Sequence, residues 1–112
     1  MTVMADEIAE QPEAVRRTLD ALLPLRADLR SLFAGRRRVL FVARGSSDNA
    51  AIYGRYLLEA GAGVNAGLAA PSIATHYRAD LDLGDTLVVA VSQSGATTEI
   101  AESVEWARSH GA

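Results

Sequence analysis

Residues 86–100 read TLVVAVSQSGATTEI. The first six are largely apolar on both faces, as a strand buried inside a parallel sheet requires. The run then breaks into Ser92, Gln93, Ser94 and Gly95, and two threonines precede a helical pattern. Residues 39–51, VLFVARGSSDNAA, repeat the arrangement: a short strand over Val39–Ala43, a turn carrying Gly45, Ser46 and Ser47, then a helix.

Between these two units the pattern predicts a helix over 47–60, with Ser46 or Ser47 as its N-cap and Gly61 beyond its end. A weaker strand follows over 64–69. Pro71 and Ser72 open a short helix carrying Ile73 and Tyr77, and 81–85 reads as a turn. After the third strand, a last helix is expected over 96–109, with Ile100, Val104 and Ala107 on its buried stripe and Gly111 at its end. Ahead of all this, residues 5–34 carry Val15, Leu19, Leu22, Leu23, Leu29, Leu32 and Phe33 at helical spacing. Pro12 is expected in a first helical turn, Pro24 at a break between two helices, and Gly35 at the close of the second. Helix, helix, then β-α-β-α-β-α indicates an α/β fold, a doubly wound parallel sheet preceded by helices. The expected division is 1–35 as a helical segment and 36–112 as the first three strands of a larger domain. A three-stranded sheet leaves an exposed edge, which is why a continuation after Ala112 is expected.

Composition narrows the chemistry. The 112 residues are 49% hydrophobic and 22% charged, so a globular chain is expected. A net charge of −3 argues against sequence-independent nucleic-acid binding. With no cysteine there is no disulfide, thiolate metal site or cysteine nucleophile. All 11 basic residues are arginine, so neither a Schiff base nor a P-loop can form. No apolar run approaches the roughly 20 residues of a membrane span, and the acidic N-terminus lacks a signal-peptide pattern, so the expected compartment is the cytoplasm.

In an open parallel sheet, ligands bind outside the carboxyl ends of the strands, where the strand order reverses. If the order is 2-1-3, both serine-rich turns flank one crevice, and each leads into a helix N-terminus that attracts anions. Ser47, Ser92, Ser94 and Thr97 would add hydroxyl donors, while Gly45 and Gly95 let the backbone approach. Ordinary capping explains either turn alone. Two turns converging on one switch point favour a phosphate cradle.

Competing motifs fit less well. ARGSSDNAA contains no G-x-G-x-x-G, and neither turn matches G-x-S-x-G. A serine hydrolase needs a placed histidine, whereas His76 and His110 read as surface or partner-facing residues. Arg36, Arg37 and Arg38 read as a solvated start to the first strand, on the side away from the crevice. Asp48 and Glu99 favour their helix dipoles, and Tyr53 and Trp106 read as packing residues.

The turns ARGSS (43–47) and SQSGAT (92–97) resemble the phosphate loops of the sugar isomerase (SIS) domain family. MADEIAEQPEA (4–14) is similar to the segment introducing the isomerase half of glucosamine-fructose-6-phosphate aminotransferases, and APSIATHY (70–77) to amino-sugar-phosphate deaminase/isomerases. The resemblance implies a five-stranded parallel sheet of flavodoxin-like order, with two such domains per subunit. It also implies association as a homodimer or completion by a further SIS domain. By the match, Ser47, Ser92, Gln93, Ser94 and Thr97 contact the sugar phosphate, of fructose 6-phosphate or glucosamine 6-phosphate type, and Gly45, Ser46 and Gly95 are loop residues near the sugar. Ala96 stands where the family often has a polar residue. The family's ring-opening and proton-transfer residues lie in the second SIS domain and C-terminal tail, so no catalytic residue, cofactor or metal is expected in this chain. Two functions follow: the N-terminal part of an amino-sugar-6-phosphate isomerase, deaminase or aminotransferase-like enzyme, or a non-catalytic module that senses a phosphosugar or assembles with another subunit.

Overall fold

A computed structural model describes residues 2–112, which fall into two compact units, one up to Ala34 and one over Gly35–Ala112. The first unit holds helix α1 (Val3–Leu22), a single 3-10 turn (Leu23–Leu25) and the short α2 (Arg26–Ser31). Thr2 sets the start of α1, its hydroxyl accepting a hydrogen bond from the Ala5 N–H at 3.3 Å. That start places Pro12 in the helix interior, not in a first turn as its sequence setting suggested. An ion pair between Arg17 and Glu10 at 2.7 Å spans the proline and ties the turns on either side of it. Pro24 does break the helix, inside the 3-10 turn. A turn after Ser31 then reaches Gly35, whose φ of +75° is the left-handed conformation that ends it. No residue of α1 or α2 is buried.

In the second unit, β1 (Arg38–Ala43), α3 (Ser47–Tyr56), β2 (Asn65–Ala69), α4 (Pro71–Thr75), β3 (Thr86–Val91) and α5 (Thr98–Ser109) alternate as expected. The sheet is parallel throughout, in the order β2-β1-β3. Its register sets Ala43 of β1 beside Val91 of β3, so the chain leaves both strands at the same level. Side chains alternate across β1 with the period of two of a strand. Val39, Phe41 and Ala43 form a buried cluster with Ala51 of α3 and Ala66 of β2. On the opposite face Leu40 shares a hollow with Ala74 of α4 and Ser103 and Trp106 of α5. Helices therefore cover both faces, which is the doubly wound arrangement.

Three local readings change. The helix after β1 does not run unbroken to Gly61. It passes into a π-helical turn over Leu57–Ala62 and is capped by Gly63 at φ +65°, with the Val64 N–H bonding the Leu58 carbonyl. An inserted π-turn shifts the end because one extra residue enters the helical ring. The short α4 ends at Thr75, which leaves Tyr77 outside it and exposed. Tyr53 is not a packing residue, being 66% exposed.

The arginine run lies at the amino ends of the strands, away from the serine turns, as expected. Two of its three members are bound rather than merely solvated. Arg36 donates to the Gly84 and Gly111 carbonyls at 2.9 and 3.0 Å, tying the turn before β3 to the end of α5. Arg38 pairs with Asp85 at 2.8 Å. That hydrogen-bonded guanidinium holds the Asp85 carboxyl below the usual carboxylate range.

Candidate functional site

Parallel register alone brings the two turns together. Because Ala43 and Val91 are neighbours, Arg44 and Ser92 leave adjacent strands side by side at the carboxyl edge. The turns they begin enclose a cleft of about 250 Å³ lined by Gly45, Ser46, Ser47, Ser92, Gln93, Ser94 and Thr97. Val91, Ile100 and Arg44 complete the lining. Seven of the eight site residues singled out from the sequence thus share one hollow. Gly95 is the exception: it lines an adjoining hollow with Ala90, Ala101 and Val104.

Both turns use one backbone device. Gly45 has φ +64° and Gly95 φ +69°, left-handed values that a side chain resists. Each glycine reverses the chain from strand into helix while leaving open space where a Cβ would stand. The hydroxyls that follow are not spent on capping, since neither the Ser46 nor the Thr97 side chain bonds the N–H groups of its own helix.

In the second turn the hydroxyls are oriented by their own backbone. Ser92 Oγ accepts from the Gly95 N–H at 3.1 Å, and Ser94 Oγ accepts from the Ala96 N–H at 3.1 Å. Ser92 Oγ and Thr97 Oγ1 share a further bond at 3.3 Å. A hydroxyl that accepts from the backbone keeps its own hydrogen to donate. The first N–H groups of α3 and α5 lack partners within their helices, and both helix dipoles put partial positive charge at the cleft. The small space is thus lined by groups able to donate hydrogen bonds, which is the chemistry an oxyanion needs.

Arg44 was not singled out from the sequence. It is the one cation in the lining, and its Nη1 lies 3.3 Å from Glu99 Oε1 in the first turn of α5. Its place directly before Gly45, in the turn itself, was the available signal. Glu99 therefore does more than favour its own helix dipole.

Elsewhere, Ser103 is buried and donates to the Glu99 carbonyl at 2.8 Å, an internal bond of α5 that periodicity does not reveal. Trp106 packs as expected, its indole N–H donating to the Ala79 carbonyl at 2.9 Å. His76 is exposed. His110 is not at the surface: it is 22% exposed, with Nδ1 2.7 Å from the Trp106 carbonyl and Nε2 3.4 Å from Asp80. It closes the C-terminal end of α5 and does not line the cleft. A larger hollow of about 480 Å³ between α4 and α5 mixes Arg78 with Glu102 and Glu105 and contains neither serine turn. Among the described residues no group of acidic or histidine side chains is arranged to hold a metal, and no helix is long and apolar enough to cross a membrane.

Fold and cleft together define the class: the chain belongs to the SIS domain family, whose pattern it matches over residues 32–112. Within that family its relatives include glutamine–fructose-6-phosphate aminotransferases (isomerizing). That of Aeropyrum pernix is 40% identical over 97% of this chain and 18% of its own length. That of Symbiobacterium thermophilum is 38% identical over 97% of this chain and 19% of its own. This chain thus spans about a fifth of the length of these curated relatives. Among solved structures, a putative phosphosugar isomerase from Silicibacter pomeroyi superimposes over the whole chain and 35% of its own, with TM-score 0.89 and 38% identity. The C-terminal domain of glucosamine-fructose-6-phosphate aminotransferase from Francisella tularensis matches 96% of this chain and 32% of its own, with TM-score 0.79 and 32% identity.

Proposed function

We propose that the cleft binds the phosphate of a sugar phosphate, of fructose 6-phosphate or glucosamine 6-phosphate type, and that the chain serves an amino-sugar-6-phosphate isomerase, deaminase or aminotransferase-like protein. The observation that carries this reading is the meeting of two serine-rich turns, one leaving β1 after Ala43 and the other leaving β3 after Val91, around one small cleft that two helix N-termini face. The named relatives add the sugar: they act on fructose 6-phosphate or are described as phosphosugar isomerases. Ser47, Ser92, Gln93, Ser94 and Thr97 are assigned to the phosphate, and Gly45, Ser46 and Gly95 to shaping the loops beside the sugar. The lining supplies hydrogen-bond donors and one guanidinium but no acid–base pair, so the function assigned to this chain is binding.

Titration calorimetry of the 112-residue chain tests the assignment. Fructose 6-phosphate and glucosamine 6-phosphate should bind, and the corresponding free sugars much more weakly. Ser94→Ala or Ser47→Ala removes a hydrogen bond to a charged group and should weaken binding by about 1.5–3 kcal/mol. Ser72→Ala, on α4 after the edge strand β2, should change little. Equal binding of sugar and sugar phosphate, or an unaffected Ser94→Ala variant, would mean that the two turns are strand-to-helix connections and nothing more.

A further inference from the structure

We infer that the Arg44–Glu99 pair tunes the charge of the cleft: Arg44 is the cation that meets a bound dianion, and Glu99 holds it in check until such a ligand displaces the carboxylate. The inference rests on the phosphate reading above. Arg44 directly follows β1 and Glu99 lies in the first turn of α5, so a contact of 3.3 Å between residues 55 positions apart joins the two turns. Their side chains are 57% and 33% exposed. A pair that open to water contributes little to folding, so its effect falls on the cleft.

Every other polar side chain in the lining is neutral. Serine hydroxyls and helix-end N–H groups receive any small oxyanion, and they discriminate poorly between one negative charge and two. A guanidinium does discriminate, because a charge-assisted bidentate contact strengthens with the charge it meets. That guanidinium is paired with Glu99. The carboxylate also sits where the dipole of α5 favours an anion. An entering phosphate must therefore compete with Glu99 twice, for Arg44 and for the helix N-terminus. A monoanion gains little by the exchange, whereas a phosphomonoester dianion gains more than the carboxylate gives up. The pair thus selects for a dianionic ester over singly charged anions.

A double-mutant cycle separates this role from a simple latch. Glucosamine 6-phosphate and glucosamine 6-sulfate serve as dianionic and monoanionic probes, with affinities read by calorimetry on the full chain. Arg44→Gln should weaken phosphate binding about tenfold or more, because the cation is lost and Glu99 is left facing the ligand. Glu99→Gln should tighten it about two- to fivefold and narrow the preference for phosphate over sulfate. The double variant should fall between the two. Tightening in Glu99→Gln cannot arise from misfolding. A latch predicts instead that both single variants and the double weaken binding alike, and that result, or an unchanged Glu99→Gln affinity, overturns the inference. Ser94→Ala in the same series keeps the two readings apart. If it weakens binding while Glu99→Gln gives no gain, the phosphate site stands and the charge-tuning role falls. If the wild-type chain binds neither probe, both fall.

Discussion

At the scale of single residues, electrostatics divides the sheet into two ends with different tasks. At the amino ends, Arg38 and Asp85 join the first residues of β1 and β3, and Arg38 lowers the Asp85 carboxyl pKa by hydrogen bonding to it. A carboxylate whose folded pKa is depressed adds stability that is present above its unfolded pKa and lost as pH falls through the folded one. Asp85 should therefore titrate below the usual carboxylate range. Arg38→Gln should return it toward that range and move the acid unfolding midpoint to higher pH. Carboxyl NMR titration of both proteins checks this, and an unmoved Asp85 titration would contradict it. At the carboxyl ends, the cleft is lined by hydroxyls, the Gln93 amide, the left-handed Gly45 and one guanidinium. Most of that was legible, since Ser, Gly and Thr after an apolar run mark a polar strand-to-helix turn. The place of Arg44 in the turn was legible too, but its weight was not, because that comes from Glu99, a neighbour only after the sheet has formed.

At the scale of elements, strands were easier to read than helix ends. An apolar run between polar turns admits few alternatives, so β1 and β3 fall close to the positions their sequences indicate. Helix ends depend on details outside the 3.6-residue period. Thr2 starts α1 early enough to leave Pro12 inside it, and a π-turn carries the helix after β1 past Gly61 to Gly63. Contact between α3 and β1 explains a different glycine. A Cβ on Gly54 would stand 2.7 Å from Cζ of the buried Phe41 ring. Gly54→Ala gains about 1 kcal/mol of helix propensity but forces the core ring to move, which costs about 1–3 kcal/mol. A net loss of about 1 kcal/mol is expected by thermal or urea unfolding. Gly61→Ala, with open space at its Cβ, should be neutral or stabilising. Equal stabilisation by both would contradict the close α3–β1 packing.

At the scale of the whole molecule, three parallel strands in the order β2-β1-β3 leave the outer edges of β2 and β3 unpaired among the described residues. The stripe of Val15, Leu19, Leu22, Leu29 and Leu32 on the N-terminal helices is exposed as well. Unpaired strand edges and exposed apolar stripes favour association. The 112-residue chain by itself should accordingly self-associate or unfold at modest temperature. Sedimentation and thermal melting at micromolar concentration test this, and a monomer with a sharp, high-temperature transition would contradict it. None of this bears on how the cleft is built, because β1 is paired on both sides and β3 is fixed against it.

The central claim is that two turns far apart in sequence form one anion site, and amide NMR tests it most directly. Fructose 6-phosphate titrated into the uniformly 15N-labelled chain should shift the amides of Gly45–Ser47 and Gln93–Thr97 together, along curves described by a single dissociation constant. The amides beside the Arg78 hollow should stay in place. Shifts confined to one turn, two different constants for the two turns, or movement centred on α4 would contradict it.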